Sequence, residues 1–193
     1  MGKYIVGITG ASGSVYGVRL VEELLKKDNE VFLVVTANGE KVLEYELDID
    51  FIKWTEKLAK DYGRINICNI DDMFSKIASG SFRTDGMVIA PCSMGSLSKI
   101  SNGITDSLLI RAADVMIKEK RKLILVPRET PFNSIHLKNM LFLSKLNVTI
   151  LPPIPGFYNK PKTLSDIIDN MVGRILCSLN IENDLYCQWN GDK

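Results

Sequence analysis

Short unbroken apolar runs alternate along this chain with longer stretches whose apolar residues recur at helical spacing. The runs are Tyr4–Ile8, Val31–Val35, Met87–Pro91, Leu123–Val126 and Val148–Leu151. Continuous apolar runs of this length, with no polar face, predict strands buried on both sides, as parallel sheets require. After the first run, Val15, Val18, Leu20, Val21, Leu24 and Leu25 form one stripe at a 3.6-residue period, which predicts a helix. A second helix follows the 31–35 run through Glu46. Phe51–Tyr62 predicts a charged amphipathic helix and Ile65–Ile70 a short edge strand. Further helices are predicted over 94–102, 106–120, 132–146 and Leu164–Leu179, the last entered through the proline-rich loop Pro152–Pro161. The β-α-β alternation predicts an α/β fold, a single Rossmann-like doubly wound parallel sheet flanked by helices. No repeat, low-complexity tract or linker interrupts residues 1–193, so one domain is expected.

Charge and composition narrow the function. A formal net charge of +1 gives no reason to expect a nucleic acid or an acidic membrane as partner. The cysteines Cys68, Cys92, Cys177 and Cys187 form no C-x-x-C pair and no metal-ligand spacing, which predicts reduced intracellular thiols. The N-terminus enters a strand at once and breaks at glycines, unlike a signal peptide. Position 6 is Val, which weakens a myristoylation reading of Gly2, and no apolar run approaches the ~18 residues of a membrane span. A cytoplasmic location is expected. His136 is the one histidine, so a multi-histidine zinc site is impossible and a Ser-His-Asp triad would have to be built on it.

In an open parallel sheet ligands bind beyond the carboxyl ends of the strands. Here those ends lead into Thr9-Gly10-Ala11-Ser12-Gly13, Thr36, Pro91-Cys92-Ser93-Met94-Gly95-Ser96, Pro127-Arg128-Glu129-Thr130-Pro131, and a loop carrying Phe157 and Tyr158. Small residues, hydroxyls and helix N-termini suit a phosphate-bearing ligand. The first segment alone is weak evidence. Its glycines at 7, 10 and 13 depart from G-x-G-x-x-G, and Thr36 stands where an NAD site needs an acid for the ribose, so NAD is disfavoured. Gly10 and Gly13 would also suit a bare strand-to-helix turn. Ser93 and Ser96 flank Gly95 where a strand gives way to a helix, a stronger phosphate signal. Cys92 invites a nucleophile reading, but a small buried packing role fits a strand end better. Arg111 and Lys118 fall on nearly one helix face, and Arg128-Glu129, between two prolines, is placed for phosphate binding and proton transfer. Glu46 and Arg174 by themselves are plain helical charges. His136 is expected to pack or to lie on the surface, and Trp54 to pack.

Read together, GITGASGSVYGVRL, SGSF, APCSMGSLSKI, NGITDSLLIRAADVMIKEKR, LVPRETP, HLKNM, PPIPGFYNKP and QWNG resemble the UbiX/Pad-type flavin prenyltransferases, in order and over essentially the whole chain. The resemblance implies transfer of a dimethylallyl group from dimethylallyl monophosphate to reduced FMN without a metal, the prenylated FMN serving a UbiD-type decarboxylase. By motif it implies FMN contacts at Gly10, Ala11, Ser12, Thr36, Ser93, Met94, Gly95, Ser96 and Arg128. It places the prenyl phosphate with Lys118, Glu129, Tyr158 and Arg174, with Arg111 and Glu46 nearby. Departing phosphate leaves an allylic cation, so Lys118, Arg174 and the Tyr158 hydroxyl would serve the anion and the electron-rich flavin the cation. Ser12, Glu46, Lys118 and Glu129 would be the catalytic set, Ser12 and Glu129 moving protons. A large symmetric homo-oligomer, possibly a dodecamer, with sites at subunit contacts is also implied. Three positions depart from the family pattern: Thr36 for the usual serine, Cys177 for a common Asp, and Gln188 for a common Arg.

Two rival readings share the fold. A cysteine-decarboxylating flavoenzyme would carry a histidine before the third core strand, where Ser79-Gly80-Ser81-Phe82 has none. A non-catalytic flavin carrier, or a subunit of a phenolic-acid decarboxylase complex, would not need Lys118, Glu129, Tyr158 and Arg174 together.

Overall fold

The computed structural model describes residues 1–186 together with Trp189 and Gly191; Cys187 and Gln188, and the roles considered for them, lie outside the described residues. Six strands run parallel in one sheet: β1 (Lys3–Ile8), β2 (Glu30–Val35), β3 (Ile65–Ile67), β4 (Gly86–Cys92), β5 (Leu123–Pro127) and β6 (Thr149–Ile150). Seven α-helices connect or follow them: α1 (Ser14–Lys26), α2 (Ala37–Leu47), α3 (Phe51–Tyr62), α4 (Met94–Ser101), α5 (Leu108–Lys118), α6 (Ser134–Lys145) and α7 (Leu164–Ser178). The strand order is β3-β2-β1-β4-β5-β6. From β1 the chain winds outward one way to β3, then crosses back to β4. The reversal opens a crevice between the carboxyl ends of β1 and β4, where α/β sheets of this order bind ligands.

The continuous apolar runs become strands because both faces of the sheet are covered. Val6, Ile8, Val88 and Ala90 face one layer with Leu20, Val21 and Leu24 of α1 and Val172, Ile175 and Leu176 of α7. Ile5, Met87 and Ile89 face the other, with Leu97 of α4 and Leu109, Ala112 and Ala113 of α5. Trp54 is buried beside Phe51 in the first layer, so the packing role expected for it holds. Gly17 explains how close α1 lies: a Cβ there would collide with the Ala90 carbonyl oxygen and come within 2.8 Å of Ile8 Cγ1.

Element ends differ from the sequence expectation where side chains cap or break the chain. The strand expected over Ile65–Ile70 stops at Ile67, after which Asn69 and Asp72 take up local backbone amides in tight turns. The helix expected over 106–120 begins at Leu108, after Ser107 in extended backbone at its N-cap. Helix α6 begins after Asn133, whose side chain accepts the His136 amide while His136 Nδ1 accepts the Asn133 amide, a reciprocal cap. His136 therefore serves as a cap on an exposed helix. The last strand shrinks to Thr149–Ile150.

Candidate functional site

At the crevice, Thr9 ties the two central strands together. Its buried hydroxyl donates to the Pro91 carbonyl at 2.8 Å and accepts the Ser93 amide at 2.8 Å. This holds the end of β4, and with it the start of α4, against the end of β1. Ser93 caps α4 by accepting the Ser96 amide at 3.2 Å, and its hydroxyl donates to Ser96 Oγ at 3.0 Å. The Ser96 proton is thereby left to donate outward. Across the crevice Thr36 caps α2, accepting the Gly39 amide at 3.0 Å, and likewise keeps its own O–H donor.

Between these two caps lies a cleft of 470 Å³ lined by Thr9, Gly10, Thr36, Ala37, Asn38, Ser93, Gly95, Ser96 and Lys99. Two helix N-termini open into it, and among the described residues its lining carries one cation and no carboxylate. Free amides and the positive ends of two helix dipoles make it a site for an anion. Gly10 keeps it open, since a Cβ there would stand 2.6 Å from Asn38 Cβ.

The glycine loop forms one wall rather than an anion hole of its own. Its α1 N-terminus is already occupied by Glu46: the Gly13 amide donates to both carboxylate oxygens at 3.1 and 2.9 Å, and the Ser14 amide to one at 2.9 Å. Partial burial pushes the Glu46 carboxyl up, but the Ser12 hydroxyl and the Ser14 and Gly13 amides outweigh it and hold the group below the usual range. Glu46, by itself a plain helical charge and by resemblance one of the catalytic set, is thus the cap of α1. Ala11 is buried in this loop and Ser12 is exposed on it. Arg128, in the turn after β5, donates from Nε to the Ser12 carbonyl at 3.3 Å, which joins the loop after β5 to the loop after β1. Beside it Glu129 is exposed and accepts the Thr130 amide at 3.0 Å.

Other expected site residues are placed differently. Met94 turns its side chain into the core and does not line the cleft. Cys92 is fully buried, and burial pushes its thiol up to about 12, so it packs and is no nucleophile. Lys118 ends α5 just before β5 begins, at the amino edge of the sheet, and pairs there with Glu119. Glu129 follows the carboxyl end of β5, so the sheet separates these two residues within one chain. Arg111 donates to the Ala78 carbonyl and pairs with Asp114 at 2.7 Å. Arg174 is exposed on α7 with its guanidinium 4.7 Å from the Tyr186 ring centroid. Tyr158 meets Trp189 edge-on, with centroids 6.0 Å apart. Thr9, Ala37, Asn38 and Lys99 line the cleft although none of them was assigned a ligand contact from sequence. For Thr9 the available signal was its place at the end of the first strand; for Lys99 it was its place in the APCSMGSLSKI block, three residues after Ser96.

A parallel sheet of this order with an anion-binding cleft at its switch point defines a phosphate-ligand-binding α/β protein. The Flavoprotein family model matches residues 2–176. The flavin prenyltransferase UbiX of Halalkalibacterium halodurans is 52% identical over all of this chain and 95% of its own length. The solved AnUbiX (PadA1), in complex with FMN and dimethylallyl pyrophosphate, superposes with a TM-score of 0.92 at 40% identity, covering 99% of this chain and 98% of that one. A dodecameric FMN-dependent UbiX-like decarboxylase from Escherichia coli O157:H7 gives 0.89 at 42% identity, over 98% of this chain and all of that one. The chain belongs to the Flavoprotein family and, within it, to the UbiX flavin prenyltransferases.

Proposed function

We propose that this protein joins the dimethylallyl group of dimethylallyl monophosphate to reduced FMN, and that the prenylated flavin passes to a UbiD-type decarboxylase. The observation that carries this reading is the cleft between Thr36 and Ser93: two capped helix N-termini, spare hydroxyl donors and no carboxylate, all suited to a flavin phosphate. FMN supplies the electron-rich ring that accepts the dimethylallyl carbon. The chain's residues bind and orient it, with Gly10 and the Ser93–Ser96 turn against it and Arg128 fastening the glycine loop. Glu129, exposed at the rim beside Arg128, is the group placed to move a proton.

The prenyl phosphate residues complete the site from other copies of the chain. Lys118 lies at the opposite edge of the sheet from Glu129, so one chain cannot offer both to one substrate. Self-association also accounts for α6, which exposes Ile135, Leu137, Leu141 and Phe142 and buries only Leu143 fully. Arg111, Lys118, Tyr158 and Arg174 would then meet the leaving phosphate at subunit contacts. His136 is spent on capping α6, which leaves the chain no histidine for the chemistry of a cysteine decarboxylase.

The test is anaerobic incubation with reduced FMN and dimethylallyl monophosphate, followed by mass analysis of the flavin. A flavin heavier by one C5 unit is expected. FMN recovered unchanged from protein that binds it would leave the carrier reading in its place.

A further inference from the structure

Among the described residues, Lys99 is the one charged side chain lining the cleft. It stands three residues after Ser96 and so shares a helix face with the hydroxyl that points outward from the α4 cap. Helix dipoles contribute only partial charges, whereas a flavin phosphate carries up to two full ones. Arg128 does not line the cleft, and its Nε donates to the Ser12 carbonyl at the rim. Among this chain's described residues, the full countercharge inside the cleft is Lys99.

Lys99 is also tethered. Its ammonium lies 2.6 Å from Asp106 Oδ2, across the turn that closes α4 with Gly103 at a φ of +67°. Both side chains are roughly half exposed, at 48% and 45%, so water screens the pair and it holds weakly. Lysine is a point charge on a flexible stem with three donors, and it can swing from one carboxylate oxygen to a phosphate without moving the helix.

We infer that Lys99 is the phosphate-binding cation of the cleft, and that Asp106 competes with the phosphate for it. The inference rests on FMN being the ligand. Preference for FMN over riboflavin, the same ring without the phosphate, then resides in Lys99, and Asp106 sets how strongly it is expressed.

The experiment compares FMN and riboflavin affinities, by flavin fluorescence quenching, for the full-length protein and its Lys99→Met, Lys99→Arg and Asp106→Asn variants. Losing a charge-assisted contact should weaken FMN roughly tenfold or more in Lys99→Met while riboflavin changes less than about twofold. Lys99→Arg should recover most of the loss. Asp106→Asn should tighten FMN about two- to threefold, and this gain should vanish when combined with Lys99→Met. Unchanged FMN affinity in Lys99→Met, or equal weakening of both flavins, overturns the inference. So does an Asp106→Asn effect that persists without Lys99. Wild-type protein that binds neither flavin would instead overturn the reading of FMN as ligand.

Discussion

The carboxylate of Glu46 receives the Gly13 amide on both of its oxygens, at 3.1 and 2.9 Å, and so seals the N-terminus of α1 with a side chain from the end of α2. The α1 N-terminus is therefore closed to an outside anion, and the cleft opens instead between the N-termini of α2 and α4. Glu46→Gln keeps the shape and removes the charge, at an expected cost of about 1 kcal/mol near pH 7. The folded carboxyl titrates below its unfolded value, so its stabilisation is complete above the ordinary carboxylate range and fades as pH falls through the lowered folded value. Thermal melts of wild type and variant should differ at pH 7 and converge in acid. A gap that widens in acid would show that Glu46 does not hold the loop by charge.

Gly17→Ala should destabilise the fold by about 1–3 kcal/mol, because the new methyl meets the Ala90 backbone carbonyl, which cannot swing aside. Urea unfolding measures it, and a neutral result would mean that α1 can lift from β4 freely.

Cys92 should resist thiol reagents in the native state. With its thiol pushed up to about 12 and fully buried, roughly one molecule in ten thousand is thiolate at pH 8. Peptide mapping after brief alkylation should find Cys92 unlabelled in native protein and labelled once unfolded in urea.

His136→Ala should leave turnover within about twofold, since the ring serves a helix cap and lines no part of the cleft. Asn133→Ala should cost about 1 kcal/mol of stability through the same cap. A loss of turnover of about a hundredfold in a folded His136→Ala variant, some 2.7 kcal/mol of barrier, would place the imidazole in the chemistry.

Lys118→Met and Glu129→Gln should each bind FMN normally yet lose roughly a hundredfold or more in single-turnover prenylation. Because one chain holds these residues at opposite edges of the sheet, co-expressing the two variants should restore part of the activity through assemblies whose sites combine one intact residue from each. Absence of any rescue in mixed assemblies would place both residues in one chain's site.

The apolar runs and helical stripes carried most of the fold, because a doubly covered parallel strand leaves no alternative to an unbroken apolar run. Tyr4–Ile8 and Leu123–Val126 needed only a residue added at an end, and Phe51–Tyr62 needed nothing. The strand-end rule likewise located Gly10, Thr36, Ser93 and Ser96, which line one cleft. Tertiary structure alone decided the rest. Periodicity put Lys118 on a helix, but which edge of the sheet that helix reaches depends on its running antiparallel to the strands. By its own pattern Glu46 is a plain helical charge, because its partners, the Gly13 and Ser14 amides, lie about thirty residues away in sequence. Lys99 lay inside the APCSMGSLSKI block without being singled out as a site residue, and it belongs to the cleft because Thr9 binds the end of β4, and so the start of α4, to the end of β1. Local pattern reports which face of an element is apolar; which polar groups converge is set by contacts between residues far apart along the chain.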